Sequence, residues 1–298
     1  MGGRVLIFTS AYSSFYEKIF WAILIICTCR KPVVVSVDGN FPNFWINTPG
    51  FLRWFFRNLI TYSGLIFVCQ SQNWQNYFKT IFPGANICVV GATCAEDFFV
   101  APIVNGSRTQ ESIKLLYIGW VIREKGVLDL LDAIAILAKK VSHFHLDIVG
   151  PVFDESQYWL NEVAGRGLQS KVNFIGSVSS KAELIKLLDD STIFVFPSHF
   201  EGFPVVLLEA IARGCPCIGT NIGGIPDILN DGQAGLIVEA HNPMQLADAL
   251  LNLLDNPQLM DALSINAYSR AREVYSYQKC IDSYCRILNV NHMSEIAN

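Results

Sequence analysis

From residue 113 onward, short apolar runs alternate with stretches of helical period, and glycine or proline separates them. This alternation restricts the fold more than any other feature of the 298-residue chain. Residues 113–118 are an apolar run ending at Gly119, after which Val127, Leu130, Leu131, Ile134 and Leu137 recur at helical spacing. Further strands are expected at 145–149, 171–175, 192–196, 216–219 and 235–238. Helices are expected at 181–188, from about 204, at 243–254 and at about 257–274. Strands joined through helices lie parallel, with the helices covering both faces of the sheet. The run from Ile193 to Phe196 lacks polar alternation, as burial on both faces requires. These residues predict a complete, doubly wound, Rossmann-like α/β domain, whose ligand lies at the carboxyl ends of its strands.

The first hundred residues repeat the alternation in a shorter text. Strands are expected at 4–8, 32–37, 64–69 and 87–90, and helices at 14–27, 51–61 and 74–80. A βαβ unit takes roughly 30 residues or more, so this α/β domain has room for only part of a doubly wound sheet. Composition divides at the same place. The first hundred residues hold 21 of the 36 aromatics, with seven basic and four acidic side chains, whereas the remainder is net acidic. Residues 99–112 are rich in Pro, Gly, Ser and Asn and read as a linker. The expected domains are 1–105 and 106–298, with the last helix able to pack back on the first domain. The first domain reads as truncated, with residue 1 entering mid-domain, which leaves a place for a protein partner that completes it. The densest aromatic run, 41–56, contains Arg53 and is followed by Arg57. It reads either as a lipid-facing patch or as core left partly uncovered; the second reading is preferred.

Only 16% of residues are charged and the net charge is −4. That excludes a disordered chain and a basic nucleic-acid binder. The longest apolar stretch, 19–29, is about half the roughly 20 residues a spanning helix needs, and the N-terminus has no signal-peptide pattern. A cytoplasmic protein is expected, with peripheral contact at the inner face of a membrane as an option. Nine scattered cysteines without a C-x-x-C pair read as reduced thiols. The histidines at 143, 145, 199, 241 and 292 form no ligand set by spacing, so no metal site is expected. No P-loop, dinucleotide fingerprint, H-E-x-x-H or G-x-S-x-G motif is present.

Chemistry concentrates in residues 196–210, FPSHFEGFPVVLLEA. A strand ends at Pro197, a loop carries Glu201 and Gly202, and a helix is expected to begin with Pro204 at its first position. Helix N-termini present free backbone N–H groups and a partial positive charge, which suit an anion. Glu209 lies about one and a half turns into that helix. Two carboxylates can then accept hydroxyls from different parts of one ligand. Taken singly, Glu201 is equally a helix-start carboxylate favoured by the dipole, and Glu209 a solvated face residue. Two other segments follow strand ends: YIGWVIREKG at 117–126, with Arg123 and Lys125, and GTNIGGIP at 219–226.

Together these segments resemble the retaining, metal-independent glycosyltransferases of family 4, which have the GT-B fold. The resemblance runs over about 113–255. It rests on Glu201-Gly202-Phe203-Pro204 with Glu209, on Gly119 with Lys125 and Gly126, on Phe174 to Val178, and on Gly223-Gly224 to Asp227. It implies transfer of a sugar from a nucleotide-diphosphate sugar to a glycan or lipid-linked acceptor, with retention, no cofactor and no metal. By resemblance, Glu209 holds the ribose and Glu201 the donor sugar. Gly202, Phe203, Pro204 and Val205 line the diphosphate and sugar, Lys125 stabilises the departing diphosphate, and Val178 touches the base.

Two positions depart from the family pattern. Trp120 follows Gly119 where the family has arginine, and Arg123 is the expected substitute; Asp38-Gly39 stands where the family often has His-Gly. The alternative is a catalytically weak nucleotide-sugar-binding module or subunit.

Overall fold

The computed structural model describes residues 4–11, 13–29, 33–38, 41–99, 113–153 and 156–289. Contacts divide the chain into two units, Met1–Ala92 with Tyr277–Asn298, and Thr93–Ser276. The boundary expected near 105 lies outside the described residues.

The first unit runs β1 (Val5–Ser10), α1 (Ser13–Cys29), β2 (Val33–Asp38), α2 (Phe41–Asn47), α3 (Gly50–Tyr62), β3 (Ile66–Cys69), α4 (Gln72–Ile81) and β4 (Asn86–Val89). Its four strands are parallel in the order β1-β2-β3-β4, with Val5 opposite Val33 and Ile66 opposite Asn86. The core is aromatic: Phe15, Phe41, Phe44, Phe67, Phe78 and Phe82 are buried. The Phe15–Phe41 and Phe41–Phe78 ring pairs meet edge to face at 5.1 and 4.9 Å, a geometry that adds to the hydrophobic gain. The aromatic run 41–56 is divided by its helices. Phe41, Phe44, Trp45 and Phe56 point inward, whereas Phe51 and Trp54 are 72% and 69% exposed. It is therefore neither wholly core nor wholly surface.

The second unit continues with β5 (Ile113–Ile118), α5 (Val127–Leu137), β6 (Phe144–Val149), α6 (Ser156–Gly165), β7 (Val172–Gly176), α7 (Lys181–Asp190) and β8 (Ile193–Phe196). It is completed by α8 (Val205–Ala212), β9 (Cys217–Thr220), α9 (Ile225–Ile228), β10 (Leu236–Val238), α10 (Pro243–Asp255) and α11 (Pro257–Tyr275). The six strands are parallel in the order β10-β9-β8-β5-β6-β7. The chain fills one side of β5 and then the other, so β5 and β8 flank the topological switch point, where a sheet of this kind opens a crevice. The buried faces of β8 and α5 are continuous apolar surface, as the sequence pattern requires. A last helix, α12 (Tyr277–Leu288), belongs to the first unit. Its Leu288 packs with Ile66, Val68 and Val90. Among the described residues no helix is long and apolar enough to cross a membrane. Every cysteine whose side chain is described is a free thiol.

One local expectation is corrected. Pro204 is not the first helical residue but the cap before it, with φ −73° and ψ 111°. Its extended ψ turns the chain from the loop into α8, and the helix proper starts at Val205.

Candidate functional site

The site is built where β5 and β8 end side by side. After β5, Gly119 leads through Trp120 to a 3-10 turn at Arg123–Lys125. After β8, residues 197–204 form a loop pinned by its own buried serine: Ser198 donates to the Phe200 carbonyl at 2.9 Å, and Thr220 of β9 donates to the Ser198 carbonyl at 2.6 Å. The two loops are tied together. The His199 amide donates to the Glu124 carbonyl at 3.0 Å. Gly126 sits so close that a side chain there would lie 1.8 Å from the Pro197 carbonyl oxygen. This approach brings Lys125 Nζ onto Glu201 Oε1, with a second, longer contact to the Phe200 carbonyl at 3.4 Å. Both side chains are largely shielded from water. An ammonium has three donors, so Lys125 can hold Glu201 and still donate to an incoming anion.

The glycine pair supports Glu201 from behind. The Gly224 amide donates to the Gly202 carbonyl at 2.8 Å. Gly223 has φ +56°, and a Cβ there would lie 2.1 Å from the Glu201 carbonyl oxygen. Only a residue without a side chain fits that conformation and that spacing. Phe203 is buried and packs edge to face on Tyr275 at 5.7 Å, which fixes the entry to α8. Pro204 offers no side-chain cap, and the first-turn amides of a helix have no partner within the helix itself.

Glu209 lies in the second turn of α8, half-buried. Loss of water around its carboxyl pushes the pKa up to about 7, because burial disfavours the charged form. Nearby Cys94 is raised by its own burial and then by the Glu209 charge. A half-buried carboxyl costs stability unless something compensates it.

The remaining sequence-derived residues lie at the same edge of the sheet. Gly119 supports the crossing with β6: its amide donates to the Val149 carbonyl at 2.9 Å. Val178 is half-buried in the loop after β7, the strand at the sheet's end. Arg123 turns elsewhere: its guanidinium stacks over the Tyr158 ring of α6 at 4.9 Å. Trp120 is exposed and meets Phe153 edge to face at 5.2 Å. Asp38 ends β2, and Gly39 lies outside the described residues.

Two features escaped the sequence reading. A cavity of about 500 Å³ opens in the first unit at the carboxyl ends of β1, β3 and β4, with Ser10, Ser14, Gln70 and Tyr284 on its walls. Polar residues directly after apolar strands were its available signal, but Tyr284 comes from the far end of the chain. The histidines also require correction. His199 and His241, far apart in sequence, stack at 3.7 Å between ring centroids, with Asp129 beside them. Spacing along the chain cannot register a cluster assembled from three distant segments.

The family model for glycosyl transferases group 1 matches residues 104–270. The chain belongs to this family. Among curated proteins it is 30% identical over 171 residues to N-acetyl-alpha-D-glucosaminyl L-malate synthase of Bacillus anthracis, covering 57% of this chain and 43% of that protein. It is 29% identical over 168 residues to an uncharacterized glycosyltransferase of Methanocaldococcus jannaschii, covering 56% and 45%. The chain thus spans less than half the length of these relatives. Among solved structures, HepE of Anabaena in complex with UDP aligns with a TM-score of 0.79 at 17% identity, covering 96% of this chain and 78% of that one. Sucrose-phosphate synthase of Thermosynechococcus elongatus aligns with a TM-score of 0.76 at 18% identity, covering 98% and 74%. The fold of this group 1 chain is therefore that of the GT-B glycosyltransferases. Its family match takes in every donor-side residue derived from the sequence, from Gly119 to Glu209.

Proposed function

We propose that this chain moves a glycosyl group from a nucleoside-diphosphate sugar to a glycan or lipid-linked acceptor, with retention of configuration and without a metal. The observation that carries this reading is the contact of Lys125 with Glu201 beside the uncapped start of α8, with the raised carboxyl of Glu209 further along the same helix. The donor's diphosphate lies against the amides of Val205 and Val206 and the Lys125 ammonium. As the bond from the sugar to the diphosphate breaks, negative charge grows on the leaving group. A fixed cation and a helix terminus in a shielded site lower that barrier directly. Glu201 accepts from sugar hydroxyls while holding Lys125 in place. Glu209 accepts from the ribose hydroxyls, and Val178 borders the base. Arg123, held on Tyr158, reaches the donor only by leaving that ring.

Relatives support a uridine donor: HepE has been solved with UDP and with UDP-glucose. The polar cavity of the first unit is assigned to the acceptor. The exposed Phe51 and Trp54 with neighbouring Arg53 favour a lipid-linked one at a membrane surface, since aromatic and basic side chains together suit an anionic lipid interface.

Titration calorimetry with UDP and UDP-glucose, followed by transfer assays on glycan and lipid-linked acceptors, tests the proposal. Binding that is lost in Glu209→Ala, and turnover that is lost in Glu201→Gln, are expected. Donor binding without hydrolysis or transfer on any acceptor leaves a binding module instead. No nucleotide binding at all overturns the reading.

A further inference from the structure

We propose that Asp129, His199 and His241 form a three-ligand site for a divalent transition metal of the zinc–cobalt–nickel class. The three groups come from separate segments: the first turn of α5, the β8–α8 loop, and the residue just before the Asn242 cap of α10. Their ligand atoms all lie within 4.8 Å of one another. His199 Nε2 is 2.7 Å from Asp129 Oδ2, and both side chains are largely buried. The His241 ring lies on the His199 ring at a tilt of 42°.

The donor set decides the class of ion. Two imidazoles and one carboxylate suit zinc and its neighbours, whereas magnesium and calcium prefer oxygen alone. Ligand bonds of about 2.0–2.2 Å require the three groups to close around one point, which small side-chain rotations achieve. Three protein ligands leave a coordination position for water.

A second observation concerns the backbone. His241 has φ +60°, a left-handed conformation that is uncommon outside glycine, although histidine adopts it more often than most residues. The side chain so placed is exposed, and its ring contact is with another imidazole. The His199 amide is already tied to Glu124. An ion here would therefore fasten the loop that carries Glu201 to α5 and α10. The inference stands independently of the transferase proposal.

The test uses the full chain, stripped with a chelator and titrated with Co²⁺ by absorbance and with Zn²⁺ by calorimetry. One equivalent should bind, with visible cobalt bands of nitrogen and oxygen ligation and without the intense near-ultraviolet band of thiolate ligation. Zn²⁺ should raise the melting temperature. His241→Ala, at an exposed position, should keep the wild-type metal-free circular dichroism and weaken both metals at least tenfold. Asp129→Asn should also weaken them, while His143→Ala should not. Three outcomes overturn the proposal: no uptake below millimolar metal, uptake with a thiolate band, or affinity unchanged in both His241→Ala and Asp129→Asn.

Discussion

Lys125 and Glu201 are 76 residues apart in the chain, and their side chains meet where the adjacent strands β5 and β8 end. The contact turns two loops into one charged surface beside the start of α8. Lys125→Ala removes the cation that the proposed reaction sets against a departing diphosphate, and transfer should fall about 100-fold or more. It also leaves Glu201, 10% exposed, without its ion partner, so the free protein should lose about 1–2 kcal/mol in urea unfolding. Lys125→Arg should recover most of that stability and less of the turnover, because a planar fork does not replace a point charge. A transfer rate within tenfold of wild type in Lys125→Ala would remove this residue from the chemistry.

Glu209 predicts a pH dependence of definite sign. Its folded pKa, pushed up to about 7 by burial, exceeds the unfolded value. Between roughly pH 4.5 and 7 the folded state therefore holds more protons, and stability falls as pH rises through that window. Glu209→Gln abolishes the penalty. At pH 8 the variant should be more stable than wild type by about 1–2 kcal/mol, allowing for partial solvent access, and at pH 4 the two should agree. Nucleotide affinity should change the opposite way. Ribose hydroxyls donate best to the ionised carboxylate, so wild-type binding should weaken as pH falls below about 7, and Glu209→Gln should bind weakly throughout. A parallel pH profile of unfolding in the two proteins would refute the assignment.

The second unit was legible because its strands announce themselves: Ile193–Phe196 is buried throughout and has no amphipathic reading. The loops after β8 and β9, at 197–204 and 221–224, were legible for the same reason, since each follows such a strand. Legibility failed where local pattern is thin. The four-residue α9 has too few turns to show a period, and α2, only seven residues long, barely completes two. The start of α8 was displaced by one residue because proline serves both as a first helical residue and, with extended ψ, as the residue before it. The cavity and the histidine cluster were invisible because they depend on distant segments meeting, which no window of sequence records.

Asp189 and Arg213 supply a stability test away from the ligand. Arg213, 5% exposed, donates to both Asp189 oxygens at 2.8 and 2.7 Å, bracing the end of α7 against the end of α8. Asp189→Ala takes the bidentate carboxylate away from a buried guanidinium and should cost about 3 kcal/mol. The urea midpoint should fall with an unchanged slope, while nucleotide affinity, measured where the protein is folded, should hold. The double variant Asp189→Leu with Arg213→Met should recover part of the loss, because the buried charge is then gone. Equal losses in the single and double variants would show that the pair acts through packing alone.

Gly223 separates support of the site from general stability. Its φ of +56° already disfavours alanine, and an added Cβ would lie 2.1 Å from the Glu201 carbonyl oxygen and 3.0 Å from that of Gly202. Backbone cannot yield as a side-chain tip does, so the loop carrying Glu201 must move. Gly223→Ala should therefore lose about 2–4 kcal/mol and at least tenfold in nucleotide affinity, as Glu201 and the first-turn amides leave register. Gly167 is the control. It has a similar φ of +69°, but open space where a Cβ would be. Gly167→Ala should lose only the strain, about 1 kcal/mol, with unchanged nucleotide affinity. If the two variants weakened binding equally, backbone strain would account for Gly223, and its support of Glu201 would have no part in binding.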